Sequence, residues 1–134
     1  PTTSGSYGFF SGTDEARAND VNALFHDDDV KAMVCLNGGY GSARILDKLD
    51  YDYIAAIQRV VGFSDITALQ VALWEKSHLV TANGPLMVTL GDANDYTANQ
   101  FFNGLTRSDW HGNLALPAGR KLKTIVSGTQ KAPS

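Results

Sequence analysis

The residue of this chain that best fits a chemical role is Ser64, in the stretch Arg59-Val-Val-Gly-Phe-Ser-Asp-Ile-Thr67. A short apolar strand leads into a glycine, and a helix is predicted to begin directly after the serine. This pattern is typical of a tight strand-to-helix turn that presents a serine hydroxyl as a nucleophile for acyl transfer. Serine is also a preferred helix N-cap, and Ile66 occupies the place of the second glycine in the Gly-x-Ser-x-Gly motif. The stretch therefore predicts either a nucleophile or a cap at Ser64.

Two loops could supply the backbone N–H groups that stabilise a tetrahedral oxyanion. The N–H of Asp65 lies at the predicted helix N-terminus, where the helix dipole favours negative charge. The second donor is expected from Asn37-Gly-Gly-Tyr-Gly41, in which Gly38 or Gly39 would let the backbone approach closely. Because ligands bind beyond the carboxyl ends of strands in open α/β sheets, both loops are expected at one rim.

The same glycine loop permits a different interpretation, as an anion-binding segment from Gly38 to Arg44. Its residues Gly39-Tyr-Gly-Ser-Ala-Arg44 begin like a dinucleotide-binding fingerprint, but arginine stands where the third glycine belongs. The sequence lacks the Gly-Lys-Ser/Thr ending of a phosphate-binding loop. Ser42 is expected to be the cap of the next helix. A non-catalytic α/β module that binds an anionic ligand therefore stays open as the alternative.

A serine nucleophile needs a general base, and the spacing of the three histidines places none of them beside Ser64. His26 ends the first predicted helix, His78 opens a predicted strand, and His111 lies in a loop. Glu75 is about 16 Å along the predicted helix, at about 1.5 Å per residue, which is too far to orient a base. The residues therefore predict a nucleophile without a visible base.

The elements that must position these residues alternate between strand and helix. Helical patterns cover residues 14–26, 42–49, 51–57, 65–76 and 96–105, with Thr13 and Asp95 as expected caps, and strand patterns cover 30–36, 58–62 and 78–82. This order predicts an α/β fold with an open, mostly parallel sheet flanked by helices. A hairpin of 113–116 and 122–126 is also expected. Residues 1–126 are expected to form one partial domain, followed by a linker over 127–134.

The composition narrows the class of protein. The 134 residues fit one domain, and a net charge of -3 without a basic block argues against nucleic-acid binding. Cys35 is the only cysteine, and Asp27-Asp-Asp29 is interpreted as a solvated loop rather than a metal site. No apolar stretch has the length of a membrane span, and residues 1–6 do not resemble a signal peptide. A cytoplasmic protein without a metal or cofactor is expected.

Five sequence blocks keep a common order and spacing from about Tyr7 to Val126. The blocks are Gly12-Thr-Asp-Glu15, Asn37-Gly-Gly-Tyr-Gly-Ser-Ala-Arg44, Leu49-Asp-Tyr-Asp52, Gly62-Phe-Ser-Asp-Ile-Thr-Ala-Leu69 and Asn83-Gly-Pro85. Together they resemble the LD-carboxypeptidase family, serine peptidases that include muramoyl-tetrapeptide carboxypeptidase and the microcin-immunity hydrolases. The resemblance implies the class I glutamine amidotransferase-like N-terminal domain of a cytoplasmic bacterial hydrolase. Such an enzyme releases the terminal D-alanine from a murein tetrapeptide during cell-wall recycling.

The resemblance also implies roles for single residues. The family's nucleophile falls on Ser64, and its oxyanion hole falls on the backbone N–H groups of Asp65 and of Gly38 or Gly39. Substrate contacts are expected at Tyr40, Arg44 and Asn83. The family takes the glutamate and histidine of its triad from a C-terminal domain, so this chain alone is expected to have little or no activity. The full-length family further suggests a homodimer that binds a peptide, without nucleic acid or membrane as a partner.

Overall fold

The computed structural model describes residues 5–54, 59–107, 116 and 118–128, and it contains a three-stranded sheet flanked by helices. The helices are α1 (Asp14–Phe25), α2 (Ile66–Ser77), α3 (Met87–Leu90) and α4 (Asp95–Thr106), and the strands are β1 (Ala32–Val34), β2 (Arg59–Gly62) and β3 (Ala82–Asn83). Two 3₁₀ helices, Ser42–Lys48 and Tyr51–Tyr53, lie between β1 and β2 in the chain.

The three strands are parallel and lie in the order β1-β2-β3. In the central strand, Val60 pairs with Met33 on one side and Val61 pairs with Ala82 on the other. Val60 and Val61 are both buried, as expected of a parallel strand that is covered on both faces. The predicted open α/β sheet is therefore confirmed. The carboxyl ends of all three strands lie at one rim.

The main core forms where α1 and α2 pack against the 3₁₀ helix Ser42–Lys48 and the sheet. Its largest fully buried side chains are Phe25, Val60 and Leu73. Burying each apolar side chain of this size contributes roughly 1.5–3 kcal/mol. The other buried members of the cluster are Ala18, Met33, Ile45, Leu49, Ile54 and Leu69. Because α2 belongs to this cluster, its first turn is held firmly at the rim of the sheet.

The first helix begins where the sequence predicts. Thr13 accepts a hydrogen bond from the N–H of Ala16 at 3.2 Å, and acidic residues at 14 and 15 fill the first turn, where the helix dipole favours them. The helix ends at Phe25, and the N–H of His26 donates to Asn22 O at 3.0 Å. Local capping signals therefore predict this helix to within one residue.

The third strand is shorter than predicted and lies later in the chain. The apolar pattern predicts a strand over 78–82, but β3 contains only Ala82 and Asn83, the two residues that face the end of β2. His78 instead follows α2 in a left-handed conformation with φ 53°, and its N–H donates to Trp74 O at 2.9 Å. A left-handed residue of this kind ends a helix and turns the chain, so His78 does not open a strand.

Other predicted boundaries and one predicted cap also differ from those in the structure. The segments predicted as helices over 42–49 and 51–57 form the 3₁₀ helices Ser42–Lys48 and Tyr51–Tyr53, and residues 55–57 lie outside the described part. Strand β1 covers three residues of the predicted 30–36. The predicted cap of α4 is wrong, because Asn94 rather than Asp95 accepts the N–H of Thr97, at 2.9 Å.

The segment after α4 does not form the predicted hairpin in the described residues. Residues 122–126 have no strand conformation, and Leu122, Ile125 and Val126 are 84–91% exposed. A strand needs a hydrogen-bonded neighbour, and no described residue pairs with this segment. Of the predicted partner 113–116, only Leu116 is described, and residues 129–134 of the predicted linker also lie outside the described residues.

Within the described ranges, no helix has the length and apolar character of a membrane span.

Candidate active site

Ser64 lies in the tight turn between β2 and α2. Its φ is 64°, a left-handed conformation that is uncommon for residues other than glycine, and its side chain is exposed. The N-cap of α2 is Asp65, so Ser64 does not occupy the capping position. The turn is narrow, because a Cβ atom added at Gly62 would lie 2.7 Å from Ile66 Cγ2. A strained serine in such a turn has the geometry of a nucleophile elbow.

Gly62→Ala is expected to lower the free energy of unfolding by about 1–3 kcal/mol, because the new methyl group overlaps the Ile66 side chain. Gly91→Ala is the matched control, since Gly91 has φ -59° and an added Cβ would meet only Val88 O, at 4.0 Å. Urea unfolding of both variants measures the difference. Equal stability of the two variants would contradict the close contact at Gly62.

The glycine loop, residues 37–41, lies beside Ser64 at the rim. A Cβ added at Gly38 would lie 3.6 Å from Ser64 Cβ and 3.7 Å from Phe63 O. The N–H of Gly38 donates to Asn37 Oδ1 at 2.9 Å, which favours Gly39 as the free donor. Gly39 has φ 113°, a conformation that L side chains rarely adopt, and an added Cβ there would meet no atom in the described part of the chain within 4 Å. The two loops therefore meet, as a two-donor oxyanion hole requires.

The Asp65 side chain connects the two loops through a bond that the sequence pattern does not predict. Its Oδ2 accepts a hydrogen bond from the N–H of Ser42 at 2.8 Å, across 23 residues of sequence. The sequence pattern assigns a role only to the backbone N–H of Asp65. An aspartate at the start of a helix normally indicates a local cap, so the pattern contains no signal for this long-range bond.

Two arginines and an aspartate hold the far end of the glycine loop. Asp14 accepts hydrogen bonds from Arg17 Nη2 at 2.6 Å and from Arg44 Nη2 and Nε at 2.6 and 3.0 Å. Arg17 Nη1 also donates to Gly41 O at 3.3 Å. Both guanidinium groups lie over the Phe10 ring, 4.8 and 5.4 Å from its centroid. Arg44, predicted as a substrate contact, is thus engaged in a bidentate ion pair.

Hydrogen bonds lower the pKa of Asp14 below its usual value, and the bond from Arg44 has a larger effect than the bond from Arg17. Because the folded pKa lies below the unfolded one, the carboxylate stabilises the fold at neutral pH. This contribution disappears as the pH falls below about 4 and through the folded pKa. In urea titrations between about pH 7 and pH 3, we therefore expect stability to fall more steeply in the wild type than in Asp14→Asn. Glu15, whose pKa is also lowered, leaves a residual slope, and equal slopes would contradict the role of Asp14.

A buried glutamine holds the other side of the serine turn. Gln70 Nε2 donates to Gly62 O at 3.2 Å and to Ala82 O at 2.8 Å, so it joins the ends of β2 and β3. Asn83 pairs with Gly62 in the sheet, and the N–H of Gly84 donates to Gly62 O at 3.1 Å. Sequence analysis does not identify Gln70. The available signal is a polar residue on the apolar face of a predicted helix.

An open cleft borders the turn on the β3 side. Its volume is about 520 Å³, and its walls include Phe63, Asn83, Pro85 and Asp92. Asn83 is exposed, and Tyr40 on the glycine loop is 73% exposed. These two predicted substrate contacts are therefore accessible, Asn83 at the end of β3 and Tyr40 on the glycine loop.

The described histidines lie away from the nucleophile. His26 precedes β1, toward the amino end of the sheet, and its Nε2 is 3.1 Å from Asp50 Oδ2. His78 follows the 12-residue helix α2, about 18 Å along the axis from its start. His111 lies outside the described residues. Burial raises the pKa of the Cys35 thiol, and the described residues contain no group of three potential metal ligands.

Known proteins share this site region. The family of the LD-carboxypeptidase N-terminal domain matches residues 1–84, which include the glycine loop and the serine turn. The murein tetrapeptide carboxypeptidase of Pseudomonas aeruginosa is 34% identical over 87 residues, which cover 63% of this chain and 28% of the relative. The microcin C7 self-immunity protein MccF of Escherichia coli is 35% identical over 102 residues, which cover 72% of this chain and 30% of the relative.

Solved structures agree with the sequence relatives. MccF in complex with aspartyl sulfamoyl adenosine matches with a TM-score of 0.76 and 33% identity, over 81% of this chain and 34% of that protein. The muramoyltetrapeptide carboxypeptidase from Oxalobacter formigenes matches with a TM-score of 0.68 and 31% identity, over 75% and 35% of the two chains. The chain spans less than half the length of the curated relatives it matches. From the family match and the shared fold, this chain belongs to the LD-carboxypeptidase family.

Proposed function

We propose that this chain is the nucleophile-bearing domain of a serine-type LD-carboxypeptidase that releases the terminal D-alanine of a murein tetrapeptide. The observation that carries the proposal is the close approach of Gly38 to the strained Ser64, such that an added Cβ would lie 3.6 Å from the serine Cβ. It brings a glycine-rich backbone beside a hydroxyl at a helix start, the arrangement that acyl transfer needs. The murein tetrapeptide carboxypeptidase among the relatives supports the substrate class.

In the proposed reaction, Ser64 Oγ attacks the carbonyl carbon of the peptide bond that precedes the terminal D-alanine. The carbonyl electrons move to the oxygen, which accepts hydrogen bonds from the N–H groups of Asp65 and Gly39. Collapse of the tetrahedral intermediate breaks the C–N bond, and the D-alanine amine leaves with the proton taken from Ser64. Water then hydrolyses the acyl-enzyme and restores the serine.

A general base must take the Ser64 proton and deliver it to the leaving amine. The described histidines lie elsewhere, so the base is proposed to come from outside the described residues. The family resemblance implies a glutamate and a histidine from a C-terminal domain for this role. The chain by itself is therefore proposed to bind the peptide but to turn it over slowly.

Tyr40 and Asn83 are proposed to contact the peptide, because both are exposed next to the serine turn. Arg44 is proposed as a third contact through the 45% of its side chain that stays exposed beside Asp14. The alternative anion-binding module at residues 38–44 gains little support from Arg44, because two donors of this guanidinium are already bound to Asp14. A cytoplasmic location and a homodimer of the full-length protein belong to the same proposal.

The test uses a peptide that ends in a boronic acid in place of the scissile carbonyl, because boron bound to a serine oxygen mimics the tetrahedral transition state. We expect the chain to bind one peptide boronate and to convert its boron NMR signal from trigonal to tetrahedral. Release of D-alanine from the intact tetrapeptide is expected to be slow with this chain alone. Binding of the peptide boronate with a boron signal that stays trigonal would contradict a serine nucleophile.

A further inference from the structure

The Asp65 carboxylate is directed away from its own helix. At the N-cap of a helix, an aspartate side chain usually accepts a hydrogen bond from the N–H of the second or third helical residue. The Asp65 side chain makes no such bond to α2. It accepts the N–H of Ser42 instead, at 2.8 Å, and so connects the serine turn to the glycine loop.

The peptide unit between Gly41 and Ser42 is held from both sides. Its N–H donates to Asp65, and its carbonyl accepts from Arg17 Nη1 at 3.3 Å and from the N–H of Arg44 at 3.2 Å. Gly41 has φ 128° and is buried, and an added Cβ there would lie 2.7 Å from the Phe10 ring. Packing and hydrogen bonds therefore leave this peptide unit little freedom to rotate.

The anchored peptide unit lies close in sequence to the expected oxyanion donor. Only Tyr40 separates Gly39 from Gly41. A Cβ added at Gly39 would meet no atom of the described residues within 4 Å, and Tyr40 is 73% exposed. The position of the Gly39 N–H therefore depends on the anchored peptide unit on one side and on Gly38, which lies close to Ser64, on the other.

We infer that the Asp65 side chain is a positioning residue, which sets the spacing between the two oxyanion donors. This inference rests on the proposed function. One residue contributes one donor through its own N–H and fixes the loop of the other donor through its carboxylate. Both donors must lie about 2.7–3.1 Å from the oxyanion, so a loop that shifts by a fraction of an ångström weakens transition-state binding more than ground-state binding.

The test compares two ligands on four variants. The ligands are the peptide boronate and the same peptide with an ordinary carboxylate end. Asp65→Ser places a residue that can cap a helix but is too short to reach Ser42. Asp65→Asn keeps an oxygen that can accept the bond, and Asp65→Ala has no side-chain acceptor at all. Glu75→Ala, which removes an exposed carboxylate from the same helix, is the matched control.

Asp65→Ser and Asp65→Ala are expected to lose about tenfold or more in affinity for the peptide boronate, with the affinity for the carboxylate peptide changed by less than about twofold. Asp65→Asn and Glu75→Ala are expected to keep the preference for the boronate. Hydrogen exchange of the Ser42 N–H is expected to accelerate in Asp65→Ser and to stay slow in Asp65→Asn. The exchange rate reports the bond itself, independently of ligand binding.

Two results would overturn the inference. One is an unchanged boronate preference in Asp65→Ser, which places a capping residue at the helix start and stays informative if Asp65→Ala does not fold. The other is a loss in Asp65→Asn as large as the loss in Asp65→Ser. Failure of the proposed function has a different signature, because Ser64→Ala would then leave boronate binding intact. If Ser64→Ala abolishes the boronate preference and Asp65→Ser does not, only the positioning role is wrong.

Discussion

Ser64→Ala is expected to abolish the tetrahedral boron signal and to weaken binding of the peptide boronate by at least about 100-fold. The boronate exceeds an ordinary peptide in affinity through the bond between boron and Ser64 Oγ, and alanine cannot form this bond. The peptide with an ordinary carboxylate end is expected to bind both proteins equally. Boron NMR and calorimetry on the same samples measure the two effects.

Two further variants separate the chemistry from the backbone strain at this position. Ser127→Ala, in the exposed segment after α4, is expected to retain both the signal and the affinity. Ser64→Gly relieves the left-handed φ of 64°, which costs a residue other than glycine about 1–2 kcal/mol. This variant is expected to be at least as stable as the wild type and still to form no adduct. A tetrahedral boron signal in Ser64→Ala would show that another group bonds to boron and would contradict the proposed nucleophile.

Leu73→Ala is expected to lower the free energy of unfolding by about 2–5 kcal/mol. Leu73 is 0% exposed and belongs to the core cluster with Phe25 and Val60. A loss of this size is a large part of the roughly 5–15 kcal/mol that stabilises an ordinary domain. It also concerns the site, because this cluster holds α2, and the N-cap of α2 is the candidate oxyanion donor Asp65. Urea unfolding followed by circular dichroism measures the change.

Val71→Ala is the matched control for Leu73→Ala. Val71 lies on the same helix and is 55% exposed, so its truncation is expected to change stability by about 0.5 kcal/mol or less. If Leu73→Ala costs no more than Val71→Ala, the described cluster is not the core that supports the site.

The long helices are predictable because their signals are local. Thr13 caps α1 as predicted, and both α1 and α2 lie within one residue of the predicted boundaries. The third strand is not predictable in the same way, because the length of a strand depends on its partner. Residues 79–81 are apolar enough for a strand, yet only Ala82 and Asn83 face β2.

The same distinction between local signals and long-range contacts applies to the candidate site. Ser64 can be selected from the sequence, since a glycine two residues earlier and a helix directly afterwards form a local pattern. The left-handed φ of Ser64 is set by the folded turn, and its closeness to Gly38 joins two loops that are 26 residues apart in the numbering. The bonds of Gln70 to the strand ends have no counterpart in any local pattern.

By itself, the sequence determines which residue types are available for chemistry and which family the chain resembles, because both depend on residue identity and short spacing. It also determines the three 12-residue helices α1, α2 and α4 and the parallel character of the sheet. Only the tertiary structure decides that Asp65 holds Ser42, that Asp14 engages Arg44, and that the two loops meet. These interactions join residues distant in the chain, and they form only after the parallel strands have brought their carboxyl ends to one rim.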